Sequence, residues 1–89
     1  MGGVINGKAT FLAIPAYPSN ARQLGITGSV SIRVLIDEDG KVISAKGFCG
    51  NPIFFAATED AARQSKFSPT TLSGTAVKVS GTITYNFFR

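Results

Sequence analysis

Residues 29–45, SVSIRVLIDEDGKVISA, limit the possible folds more than any other part of the chain. Val30, Ile32, Val34 and Ile36 alternate with Ser29, Ser31, Arg33 and Asp37, and Leu35 is the one apolar intruder on the polar side. A period of two is the signature of a strand with one face in a core and one in water. The acids Asp37, Glu38 and Asp39, followed by Gly40, then reverse the chain, because glycine takes the positive backbone angle that such a turn needs. The returning segment KVISAKGF is a second strand, and its apolar positions Val42 and Ala45 are out of phase, which predicts a bulge. A hairpin with one apolar face cannot stand alone in water, so the rest of the chain must cover that face.

Asn51 and Pro52 suit the cap and first position of a helix over residues 52–66, since asparagine accepts from an orphan amide and proline has no amide to leave unpaired. Phe54, Ala57, Thr58, Ala61 and Ser65 fall at spacings of three and four and form its buried face. Glu59, Asp60, Arg63 and Gln64 are expected in water, while Ile53 and Phe55 fit neither side cleanly. Phe67 closes the apolar stripe and is expected to be buried. Pro69 then breaks the pattern and KFSPTTLSGTA reads as a loop. In the final VKVSGTITYNFF, Val77, Val79, Ile83, Tyr85 and Phe87 alternate with Lys78, Ser80, Thr82, Thr84 and Asn86, with Gly81 on the apolar side: a long last strand. A short helix over about residues 18–24 ends at Gly25. The order helix, strand, strand, helix, strand predicts an α+β fold: a three-stranded antiparallel sheet with two helices on one face. The last strand lies beside the first and is left at the edge.

Several function classes are excluded by what is missing. A chain of 89 residues makes one domain. No apolar run reaches the roughly 20 residues that cross a bilayer, and MGGVINGKA lacks the layout of a signal peptide. The chain has no histidine and a single cysteine, so the usual activating base, the commonest metal ligand and any internal disulfide are all absent. Cys49 therefore reads as a small packing or loop residue, not a nucleophile. The triple acid reads as a solvated turn, because calcium loops spread their ligands over a dozen residues. The SGT tripeptides at 73–75 and 80–82 lack the lysine of a phosphate loop. The net charge of +4 comes from basic residues scattered singly, which disfavours nucleic acid. The expectation is a protein that is not an enzyme, with no cofactor and no metal.

Taken together, PAYPSNARQLGITGSVSIRVLIDEDGKV, the helix with its alanine pair, KFSP and VKVSGTITYNFF resemble the C-terminal domain of the TonB energy transducers over about residues 15–88. The Tyr17–Pro18 pair, Gly28 before the alternating strand, Asp39–Gly40, Phe67, Pro69 and the valine-rich last strand carry the resemblance by their order and spacing. The resemblance divides the chain into a lead-in over residues 1–14, a candidate for an extra short strand, and the domain proper over 15–89. It implies a periplasmic domain that captures an extended segment of an outer-membrane TonB-dependent transporter by adding it as a strand. It also implies an N-terminal membrane helix, preceding this sequence, held by a proton-driven inner-membrane motor complex. The unprotected last strand suits that role, with Val77, Lys78, Val79, Ser80, Gly81, Thr82, Ile83, Thr84 and Tyr85 as the expected docking residues. Two readings of the tyrosine-proline pair stay open: packing of Tyr17 on the sheet, or Tyr17 and Pro18 as the border of the peptide groove. A related envelope adaptor, or a homodimer pairing through the same edge, is the alternative function.

Overall fold

The computed structural model describes residues 9–88. Residues 1–8 of the expected lead-in lie outside the described residues. The chain runs through β1 (Ala9–Phe11), α1 (Ser19–Leu24), β2 (Gly28–Ile36), β3 (Val42–Cys49), a 3-10 turn (Pro52–Phe54), α2 (Phe55–Gln64), β4 (Lys66–Phe67), β5 (Thr70–Leu72), β6 (Thr75–Val77) and β7 (Val79–Phe87).

The main sheet has the order β3-β2-β7, antiparallel throughout, as the hairpin and crossover require. Val30, Ile32, Val34 and Ile36 of β2 are all buried, as are Ile83, Tyr85 and Phe87 of β7. Phe54, Thr58, Ala61, Ala62 and Ser65 cover them from the helix side. Thr58 and Ser65 are polar residues in this apolar layer and are satisfied locally. Each hydroxyl donates to a carbonyl one turn back, Thr58 to Phe54 and Ser65 to Ala61, so neither leaves an unpaired group in the core.

The hairpin turn is built as the residues dictate. Asp37 Oδ1 accepts from the amides of Asp39 and Lys41, and the Gly40 amide donates to the Asp37 carbonyl at 3.0 Å. Gly40 has φ 86°, and a Cβ there would stand 1.9 Å from the Phe67 carbonyl oxygen, so both conformation and space demand glycine. Phe67 in turn donates its amide to the Gly40 carbonyl, which ties the helix exit to the turn. Two bulges interrupt β3: Ile43 is extra between the partners of Leu35 and Ile36, and Phe48 is extra between those of Ser31 and Ile32. Both extra residues are large, apolar and about half exposed.

Three expectations are corrected. The segment read as a loop contains a hairpin, in which Thr70–Leu72 pairs with Thr75–Val77 around Ser73 and Gly74, both at positive φ. The last strand is consequently broken at Lys78: Val77 belongs to that small hairpin, and β7 starts at Val79. Glu59 does not face water. It is half-buried and accepts the Gly47 amide at 2.8 Å, because the helix lies across β3. The helix itself opens with the 3-10 turn capped by Asn51, whose Oδ1 accepts from Ile53, and its last residue is Gln64. The extra N-terminal strand exists. It pairs with β4, through Ala9 opposite Phe67, and not with the main sheet.

Phe67 is buried, as its place at the helix exit implies. Phe67→Ala should cost about 3–5 kcal/mol, read as a lowered midpoint in denaturant unfolding. Gly40→Ala should destabilise the domain even though only a methyl group is added, and the same assay checks it.

Candidate functional site

The sheet has two outer strands, and the chain treats them differently. On β3 the bulges break the even spacing of main-chain groups, and α2 leans on the strand. The Phe55 ring sits where a Cβ on Gly47 would be, 2.6 Å away, so glycine is what lets the helix approach. This contact gives Phe55 its place outside the helical stripe. The Gly47 amide is taken by Glu59. By contrast β7 is straight, pairing with β2 residue by residue from Val79 opposite Ile36 to Phe87 opposite Gly28 without a register shift.

The side on which the main chain of β7 faces outward follows from the turn. Asp37 donates its amide to the Lys41 carbonyl at 2.8 Å, so its polar groups point toward β3. Polar groups alternate sides along an extended strand, so those of Ile36, Val34, Ile32 and Val30 point toward β7. Their partners Val79, Gly81, Ile83 and Tyr85 are therefore bonded inward, and the main-chain groups of Ser80, Thr82, Thr84 and Asn86 point to the outer side. Direct side-chain contacts agree, since Ser29 Oγ donates to Asn86 Oδ1 at 2.6 Å and Ser31 and Thr84 lie 3.4 Å apart, as in the closer non-hydrogen-bonded pairs.

The nine expected docking residues are thus divided by the fold. Gly81, Ile83 and Tyr85 are buried. Ser80, Thr82 and Thr84 are half-buried on the opposite face, Val79 is half-buried at the start of the strand, and Val77 and Lys78 precede it. Tyr17 takes a packing role. Its ring meets Phe54 and Phe87 edge-on, at centroid distances of 5.9 and 5.4 Å, and its hydroxyl donates to the Ile26 carbonyl. The Arg22 guanidinium lies 5.0 Å from the centre of the same ring. Pro18, beside it, stands at the start of α1, where its carbonyl accepts the Arg22 amide. Tyr17 thus braces the end of β7 beyond the residues expected to dock a peptide. Cys49 is exposed at the end of β3.

Among the described residues there is no group of ligands that could hold a metal ion, and no helix is long and apolar enough to cross a membrane. The described residues form a small α+β domain with one straight outer strand and one obstructed outer strand. The model of the family described as "Gram-negative bacterial TonB protein C-terminal" matches residues 13–88, and the chain belongs to that family, whose setting is energy transduction and TonB-dependent transport. The fold is also that of the solution NMR structure of the Pseudomonas aeruginosa TonB C-terminal domain. The TM-score is 0.75 and the identity 24%, with all of this chain and 94% of that one covered. Comparison with curated proteins gave no match.

The Tyr85 hydroxyl is buried near Ser65 without a hydrogen bond of good geometry among the described residues. Desolvation raises its pKa above the usual tyrosine value, and Ser65 partly offsets the shift. A pKa raised on folding means that the unfolded state releases this proton first, so stability holds below about pH 10 and falls as pH rises beyond it. Tyr85→Phe should raise stability by about 1 kcal/mol near neutral pH, by removing a buried hydroxyl of poor geometry, and should flatten that alkaline loss. Urea midpoints taken across the pH range check both.

Proposed function

We propose that this domain is the periplasmic, force-transmitting end of a TonB-type energy transducer, and that it captures an extended segment of an outer-membrane transporter as an added strand along β7. The observation that carries this reading is the contrast between the outer strands: β3 is bulged and crossed by α2, whereas β7 is straight and turns alternate main-chain groups outward. Strand addition draws its affinity from main-chain bonds and needs only such an even row. Specificity then comes from the half-buried residues on the open face of β7, Ser80, Thr82 and Thr84, since Gly81, Ile83 and Tyr85 are committed to the core. Pulling force would pass from the added strand into β7 and through its unbroken pairing into β2. The upstream end of the transducer is assigned, on family grounds, to a membrane helix held by a proton-driven motor complex.

Self-pairing of two domains through β7 is the second reading. It uses the same outward groups, and it differs in weakening on dilution, whereas capture by a monomer needs no second copy.

The register makes a proline test specific. Thr82→Pro removes an outward amide and should leave the sheet folded, while Ile83→Pro removes an amide bonded to β2 and should unfold the domain. Circular dichroism reports folding, and calorimetry reports capture of a transporter-derived extended peptide. A folded Thr82→Pro domain that binds the peptide as well as the parent does would exclude strand addition at this edge.

A further inference from the structure

On the face of the sheet away from the helices, the cross-strand rows bring together side chains that do not favour one another. Arg33 lies directly between Lys46 on β3 and Thr82 on β7, and the next row is Ser44, Leu35 and Ser80. Like charges directly opposite on neighbouring strands repel, with their Cβ atoms about 5 Å apart. Among the described residues no carboxylate forms an ion pair with either cation; Asp37, Glu38 and Asp39 occupy the turn, and Glu59 is turned to Gly47 on the helix side. The Arg33 guanidinium is instead held over the Phe48 ring, 5.1 Å from its centre. The same residues line a groove of about 430 Å³ together with Leu35 and Ser80. Phe48 and Leu35 are exposed there, so the groove has an apolar floor beside a pair of unneutralised cations.

We propose that this groove is a second docking site, separate from the edge of β7, and that it takes a partner polypeptide presenting a carboxylate beside an aliphatic side chain. The carboxylate sits between Arg33 and Lys46 and relieves their repulsion, while the aliphatic group lies on Phe48 and Leu35. Charge complementarity selects an acidic partner, and the apolar floor selects a polypeptide over a hydrated anionic polymer, which would gain nothing from Phe48. The cation–π contact fixes Arg33 in advance, so little side-chain freedom is lost on binding. The site does not depend on strand addition, because it uses side chains and not the outward main chain of β7.

The test uses the whole chain, isotope-labelled, with two probes: the blocked peptide Leu-Glu-Leu-Glu and its counterpart Leu-Lys-Leu-Lys. Only the acidic peptide should shift the amide resonances of Arg33, Lys46, Gly47 and Phe48, and the response should shrink as salt is added. Lys46→Glu should lose about tenfold in affinity, the equivalent of one charge-assisted hydrogen bond, while raising the denaturation midpoint because it replaces a repulsive pair with an attractive one. Phe48→Ala should weaken Leu-Glu-Leu-Glu more than blocked polyglutamate, because both lose the hold on Arg33 but only the former loses the apolar contact. Equal responses to the two short peptides, undiminished binding by Lys46→Glu, or equal loss of polyglutamate and Leu-Glu-Leu-Glu in Phe48→Ala would each overturn the proposal.

Discussion

Three aromatic rings hold the parts of this domain in place. Phe54 and Phe87 stack at 4.2 Å with planes nearly parallel, and Tyr17 closes the group edge-on to both. The rings come from the segment before α1, the start of the second helical stretch and the end of β7, so one contact joins pieces far apart in sequence. Aromatic pairs of this geometry add on the order of 1 kcal/mol beyond the area they bury. Their larger effect is geometric. With Phe54 fixed, the helix can lie only along β2 and β3, and with Phe87 fixed, β7 is held in register along its whole length. The Tyr17 hydroxyl on the Ile26 carbonyl then sets the path of α1 into β2, and the left-handed Gly25 completes that turn with Ile26 donating to Ala21.

The same constraint explains why the outer strands differ. A helix pinned at Phe54 reaches β3 with Phe55 and Glu59, and only a residue without a side chain, Gly47, lets it settle there. It leaves the straight strand on the other side uncrossed. The asymmetry on which the functional reading rests therefore begins in the packing of the core.

Much of this was legible in the sequence because period two and the three-to-four spacing are strong signals. The alternation in β2, the acidic turn, the helix cap at Asn51 and the core place of Phe67 follow directly from residue type. What escaped depended on tertiary contact or on weak local signals. The β5–β6 hairpin carries three threonines with Leu72, Ala76 and Val77, and its only marker is the Ser73–Gly74 pair. Glu59 looks like a solvent-facing acid until the helix is laid on β3. The charged row in the open groove is hidden by a bulge. A hairpin running evenly from Asp37 opposite Lys41 would set Arg33 beside Ala45, and the extra Ile43 shifts it beside Lys46. The last strand was legible as a strand, but the direction of its main-chain groups was not, because their parity is read from one hydrogen bond in the turn.

The Gly47 contact has a consequence for how copies of this domain can assemble. A sheet that can be extended from both sides can grow without limit, each added chain offering a fresh edge to the next. With Phe55 and Glu59 seated on β3, extension from that side is blocked, so anything that pairs with β7 meets a dead end on the far side of the molecule. Growth of the sheet would then stop at one added strand per domain, and two domains that paired through β7 would close the unit. If β7 takes an added strand as proposed, the helix acts as a chain terminator, and such a strand can be kept at high local concentration without seeding a fibre.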